Sequence, residues 1–248
     1  MFSNPRTPPA AAQSRRALLR TAVAGTAIAA GAGLALGSAA PASAASREAE
    51  STEPVTTPEQ ALRRLAAGNH RWRTRHQEHP HESASLRRRL VQGQHPFAVV
   101  LGCVDSRVSP ELVFDQGLGD LLTVRSAGEV LDEAVLGSIA YGVLELHVPL
   151  VLVLAHQSCG AVAAAVHADE TGEPLPAHVQ YLAEQIRPSI DRGQEGDARV
   201  DATINAHVLG VRRRLAAEPD LAGKVATGGL AVVAARYELR DQRVRTLS

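Results

Sequence analysis

The sequence predicts an α/β fold: a mainly parallel central sheet of about four strands, flanked by helices and preceded by an N-terminal helical arm. Three observations carry this. Phe97–Leu101 and Leu150–Leu154 are bounded, apolar, β-branched-rich runs too short for helices, which is how strands buried on both faces read. Between them, Leu131–His147 places Leu136, Ile139, Ala140, Val143 and Leu144 at helical spacing, the crossover that two parallel strands require. Leu121–Arg125 and Leu230–Ala235 supply the remaining central strands.

Residues 1–44 differ from everything after them. Arg15-Arg16 stands ahead of an uncharged Ala/Gly-rich run, Thr21–Leu36, and Pro41-Ala42-Ser43-Ala44 offers a small-residue cleavage site. The run is short of the roughly twenty strongly apolar residues a spanning helix needs. This pattern resembles a twin-arginine export signal, so the mature protein is expected to be secreted or extracytoplasmic, with no stable membrane span after signal removal. Residues 45–57 are polar and non-periodic and read as a flexible lead-in.

Residues 58–248 read as one folded domain. Thr57-Pro58-Glu59-Gln60 is a helix start, with a capping Thr, Pro at the first helical position and Gln at the third. Leu62, Leu65, Asn69 and Trp72 then fall on one narrow face, suited to another subunit or to the back of the same domain. His76, His79 and His81 lie in a Pro- and charge-rich stretch with no regular element to fix their rings, so a solvated loop is expected there. Leu86–Gln92 reads as a short Arg-rich helix, and Val108-Ser109-Pro110-Glu111 as the start of another. Gln116–Asp120 turns the chain into the strand at Leu121; its Gly pair precedes a strand and lacks a third Gly, which excludes a dinucleotide loop. Helices are expected over Ala177–Ile190 and Ala198–Ala217.

Lys and Arg number 26, as do Asp and Glu, for a formal net charge of zero, and aromatic residues make up 3% of the chain. Neither the electrostatic footprint nor the stacking platforms of a nucleic-acid binder are present.

The chemistry-bearing residues sit at strand ends. Cys103-Val104-Asp105-Ser106-Arg107 follows the first strand and His156-Gln157-Ser158-Cys159 follows the third. In open α/β sheets ligands bind beyond the carboxyl ends of the strands. Cys103, His156 and Cys159 form a Cys2His set, which suits one Zn2+ per chain with a coordination position left for water. Cys159 precedes an Ala-rich helix start, where the dipole and free N–H groups favour thiolate. Gly102 and Gly160 are read as positions of close backbone approach.

A Cys-x-Asp-x-Arg element, a long gap and His-x-x-Cys-Gly together resemble the β-class carbonic anhydrases. Gly93-Gln94-His95-Pro96-Phe97, Gly119-Asp120-Leu121, Val124-Arg125-Ser126-Ala127-Gly128 and a closing segment near Tyr237 extend the likeness from about residue 58 to the end. The resemblance implies an edge strand within Tyr237–Leu247, with Asp241-Gln242 at its turn. It implies a zinc lyase that hydrates CO2 reversibly to bicarbonate through a zinc-bound hydroxide, with Asp105 held by Arg107 and orienting that nucleophile. Gln94 and Tyr141 match the family's pocket residues, and Leu122 falls where an aromatic ring is common. Ser126 and Glu129 replace residues that are usually Asn. A homodimer or a multiple of it is implied, with the N-terminal arm on the partner. Two thiolates weaken the metal's Lewis acidity, so turnover should rise with pH through a group of apparent pKa above about 7.

Three rivals share the residues. The same zinc site could hydrolyse a CO2 analogue such as carbonyl sulfide or carbon disulfide. A secreted binding protein could carry a Cys103–Cys159 disulfide, although a substrate exported already folded meets zinc before any oxidant. A metal-storage module would use the His cluster instead.

Overall fold

The computed structural model describes residues 54–248. The export-signal reading and most of the lead-in lie outside them. In chain order the elements are α1 (Pro58–Thr74), α2 (Ala84–Arg89), β1 (Ala98–Gly102), α3 (Pro110–Val113), β2 (Leu121–Arg125), α4 (Glu133–Leu144), β3 (Leu150–His156), α5 (Gly160–Thr171), α6 (Ala177–Ile186), α7 (Gly196–Ala216), α8 (Pro219–Ala226), β4 (Ala231–Tyr237) and β5 (Val244–Leu247). The sheet runs β2-β1-β3-β4-β5; the first four strands are parallel, and β5 returns antiparallel to β4 as the expected edge strand.

Strand periodicity divides the core into two layers. Val99, Leu101, Val151, Val153 and Ala234 face α4 to α8, where they meet Ile139, Val162, Ile186, Val208, Leu215 and Leu221. Ala98, Val100, Leu150, Leu152 and Leu154 face the other way, against Ala61 and Leu65 of α1 and Val113 of α3. With both faces covered, β1 and β3 are buried along their whole length and can hold their carboxyl ends rigidly.

The arm is folded onto its own chain. Thr57 Oγ1 accepts the N–H of Gln60 at 3.3 Å, and Gln60 Oε1 accepts the N–H of Thr57 at 3.1 Å, the capping box read from the sequence. Val55, within the predicted lead-in, already packs on the core. Gly68 lies so close to α3 that a Cβ there would sit 1.7 Å from the carbonyl oxygen of Phe114. Beside it, buried Asn69 donates to the carbonyls of Val113 (3.1 Å) and Gln242 (3.0 Å) and accepts the N–H of Val244 (3.0 Å). Trp72 Nε1 donates to the Tyr237 hydroxyl at 3.0 Å. The narrow face predicted for this helix is thus satisfied by the back of the same domain.

The loop expected at His76–His81 is present, and one helix was not expected. The His-rich loop exposes His76 and His79 but is pinned down: the Asp115 carboxylate accepts the N–H groups of Glu78 and His79, Pro80 is buried, and His81 Nδ1 lies 2.8 Å from Asp120 Oδ2. α8 was not anticipated, yet Pro219 at its first turn and buried Leu221 explain it. Among the described residues no helix is long and apolar enough to cross a membrane.

Candidate metal centre

β1 and β3 are neighbours in register, Gly102 beside Leu154, so the residues following each emerge together at the carboxyl end of the sheet. Cys103 follows β1, His156 ends β3, and Cys159 stands at the N-cap of α5. Ser158, at φ 55°, reverses the chain between His156 and Cys159. The two sulfurs, both free thiols, are 3.9 Å apart, and the donor atoms of the three residues all lie within 4.8 Å of one another. A tetrahedral ion with Zn–S bonds of about 2.3 Å would hold its sulfurs about 3.8 Å apart. The cysteines therefore need almost no movement to share one.

His156 is fully buried, and its Nδ1 lies 2.9 Å from the carbonyl oxygen of Gln157. A carbonyl only accepts, so the ring proton is on Nδ1 and the lone pair of Nε2 is presented to the sulfurs. That Nε2 has no hydrogen-bond partner. An orphaned, buried nitrogen facing two thiols is what a missing cation leaves behind.

Without metal the two cysteines share a proton. Cys103 is pulled down, first by the Cys159 thiol donating to it, against the cost of burial, and then by the N–H of Gly128. Cys159 is pushed up by the same contact and by burial. The Gly128 N–H donates to Cys103 Sγ at 3.4 Å, and the start of α5 favours charge on Cys159, so each sulfur has a backbone donor.

Asp105 and Arg107 meet as expected. The Asp105 carboxylate accepts from the Arg107 backbone N–H (2.9 Å), Nε (2.9 Å) and Nη2 (2.7 Å), and Arg107 Nη2 also donates to the carbonyl of Ser158 (3.1 Å). The guanidinium holds the Asp105 carboxyl down to about 2. Asp105 Oδ2 lies 3.8 Å from His156 Nε2, so the ionised carboxylate stands beside the donor set.

Arg125 carries a role that the sequence did not reveal. At the end of β2 it is in register with Gly102, and its guanidinium donates to the carbonyls of Cys103 (2.8 and 2.6 Å), Asp105 (2.7 Å) and Val108 (3.0 Å). It thereby fixes the loop carrying both Cys103 and Asp105. Ser126 donates to the carbonyl of Val130 at 2.7 Å and so closes the next turn itself. Glu129 is buried behind Cys103 with Oε1 unpartnered, and burial, reinforced by the Cys103 charge, pushes its carboxyl well up.

The predicted pocket residues divide. Leu122 and Tyr141 line one open groove of about 650 Å³ beside edge strand β2, together with Thr123, Glu133 and Arg125. Through Arg125 this groove adjoins the Cys103 loop. Gln94 is exposed and precedes the amino end of β1, with the whole strand between it and Cys103 of the same chain. A Cβ on Gly160 would meet nothing within 4 Å, and one on Gly102 nothing nearer than 3.8 Å, so close approach does not explain either glycine. The crowding falls on Gly128, at φ 65°, where a Cβ would lie 2.9 Å from Ile186 Cδ1. Among the described residues the Cys103, His156 and Cys159 donors converge, whereas His76, His79 and His81 form no such group.

Comparison with known proteins identifies the family. A family model described as carbonic anhydrase matches residues 98–244, more than half of the chain. Carbonic anhydrase 2 of Mycobacterium tuberculosis is 44% identical over 192 residues, covering 77% of this chain and 93% of its own length. The carbonic anhydrase of Mycolicibacterium smegmatis is 43% identical over 200 residues, covering 79% and 96%. Among solved structures, the β-carbonic anhydrase CafA of Aspergillus fumigatus superposes with a TM-score of 0.61 at 25% identity, over 73% of this chain and 88% of that one. Sheet order, strand-end cysteines and sequence identity over most of the domain lead to one conclusion: the chain belongs to the β-class carbonic anhydrases and is an enzyme of that family.

Proposed function

We propose that the protein hydrates CO2 reversibly to bicarbonate and a proton at a zinc ion held by Cys103 Sγ, His156 Nε2 and Cys159 Sγ. The observation that carries this reading is the orphaned His156 Nε2 facing two sulfurs 3.9 Å apart. When bound, zinc supplies the Lewis acidity that makes water a nucleophile near neutral pH. Asp105, kept anionic by Arg107, accepts a hydrogen bond from the attacking water and so directs its lone pair at the carbon of CO2. Arg107 also holds Asp105 away from the position that substrate must reach. Leu122 excludes competing water from an apolar substrate.

Gln94 and the Leu122–Tyr141 groove serve substrate across an interface between two copies. Support comes from the position of Gln94, at the far end of β1 from its own Cys103, and from the open groove beside an edge strand. The proposed homodimer is tested by coexpressing Gln94→Ala and Cys159→Ser chains. Hybrid dimers regain activity if Gln94 acts on the partner's metal; if both variants are impaired alone and the hybrids stay impaired, Gln94 acts within its own chain or not at all. Export by the twin-arginine route is supported by Arg15-Arg16 ahead of the uncharged run, and replacing both with Lys should retain the protein in the cytoplasm.

The principal test is metal content and CO2 hydration of wild type and Cys159→Ser. The variant is expected to lose both together, since a hydroxyl is a poor substitute for a thiolate on Zn(II). Full activity in Cys159→Ser would refute the ligand assignment.

A further inference from the structure

We infer that His207 is a positioning residue for the metal centre: from α7 it holds the Gly128 turn so that the Gly128 N–H donates to the sulfur of Cys103. The inference rests on the reading of Cys103 as a metal ligand.

His207 is buried on the inner face of α7, one turn after buried Thr203 and among Ile204, Val208 and Val211. Its Nε2 lies 2.7 Å from the carbonyl oxygen of Gly128, and its Nδ1 lies 3.5 Å from Ser189 Oγ. Because a carbonyl only accepts, Nε2 carries the proton. Burial lowers the basicity of the ring, so it acts as a neutral donor. Gly128 is the bend of a turn at φ 65° and ψ 30°, wedged against Ile186 and Ala161. Its carbonyl faces His207 while its N–H, on the preceding peptide, points to Cys103 Sγ at 3.4 Å. One imidazole, one glycine and one sulfur thus form a continuous chain from the helical layer to the centre.

The consequence is electronic as well as mechanical. An N–H donated to a thiolate withdraws charge from sulfur, so the sulfur gives less to the metal and leaves it a stronger Lewis acid. Two-thiolate ligation weakens the metal in the first place, and a donor on Cys103 partly offsets that. Without the His207 donor the Gly128 carbonyl is left unsatisfied in a buried site, the turn relaxes, and the N–H to sulfur contact lengthens.

The experiment loads Co(II) into metal-free wild type and into His207→Leu, His207→Asn and His207→Gln. Gln extends its amide to about the reach of imidazole Nε2, whereas Asn stops one carbon short. In the Leu and Asn variants the sulfur-to-cobalt charge-transfer band should move to lower energy, zinc affinity should fall about 10-fold or more, and the midpoint of the pH–activity profile should rise. The Gln variant should restore all three toward wild type. Ser189→Ala should leave the band in place. If His207→Leu does not fold, the Asn and Gln pair carries the comparison, since they differ only in reach. A band and zinc affinity unchanged in Leu and Asn, even with a lower melting temperature, would overturn the inference by reducing His207 to packing. Failure of wild type itself to give a thiolate-to-cobalt band would overturn the ligand reading, and this inference with it.

Discussion

Replacing Arg125 with Met keeps the length of the side chain and removes every hydrogen bond it gives to the Cys103–Val108 loop. The guanidinium serves the carbonyls of Cys103, Asp105 and Val108 at 2.6 to 3.0 Å. Arg125 is exposed but Cys103 and Val108 are buried, so water reaches the freed carbonyls only in part, and about 0.5–1 kcal/mol per carbonyl is the least the loss can be. The summed loss is at least about 2 kcal/mol, which for a domain of this size lowers the melting temperature by about 4–8 °C or more. Arg125→Lys should recover less than half of this, because a single ammonium lacks the planar fork that spans three acceptors. Circular-dichroism melts of the three proteins give the stability, and chelator competition gives the zinc affinity. The Met variant should lose affinity as well as stability, because the loop it frees carries Cys103. A Met variant that melts within a degree of wild type and keeps its zinc would refute the claim that Arg125 holds the loop.

Two further outcomes are expected. Burial pushes the Asp115 carboxyl up, but Arg71 and the N–H groups of Glu78 and His79 outweigh it and hold it below the usual carboxylate range. Its contribution is therefore complete above about pH 4, near the unfolded carboxylate value, and fades as pH falls through the lower folded value. Urea unfolding of Asp115→Asn should show a deficit of about 1–3 kcal/mol at pH 7 that narrows below pH 4, and a deficit independent of pH would contradict this. Gly68→Ala would place a methyl 1.7 Å from the Phe114 carbonyl and force α1 off the domain, at a cost of about 3 kcal/mol or more. Trp72, the only Trp in the chain, reports the displacement through its fluorescence; an unchanged spectrum and stability would show that the backbone accommodates the methyl.

What the sequence made legible was what local pattern controls. β-branched runs marked β1 and β3, Thr57 and Gln60 marked the start of α1, and a His and a Cys three apart after a strand marked the donors. What stayed hidden depends on partners distant in the chain. Arg125 acquires its role only when β2 pairs with β1 and brings it beside Gly102, and His207 only when α7 packs over the Gly128 turn. The His-rich loop is exposed as read, but its anchor stayed hidden, because the Asp115 carboxylate binds backbone N–H groups that no side-chain pattern announces. Gly102 and Gly160 were misread because a glycine next to a ligand suggests crowding, while a Cβ would make only ordinary contacts at Gly102 and meet open space at Gly160.

The Asn69 side chain joins backbone at Val113 with backbone at Gln242 and Val244. An early segment of the polypeptide is therefore fastened by its last hairpin, a closure of high sequence separation. During synthesis α1 has no complete seat until the carboxyl-terminal residues have left the ribosome. Trimming the chain just before Gln242 would accordingly loosen its opposite end.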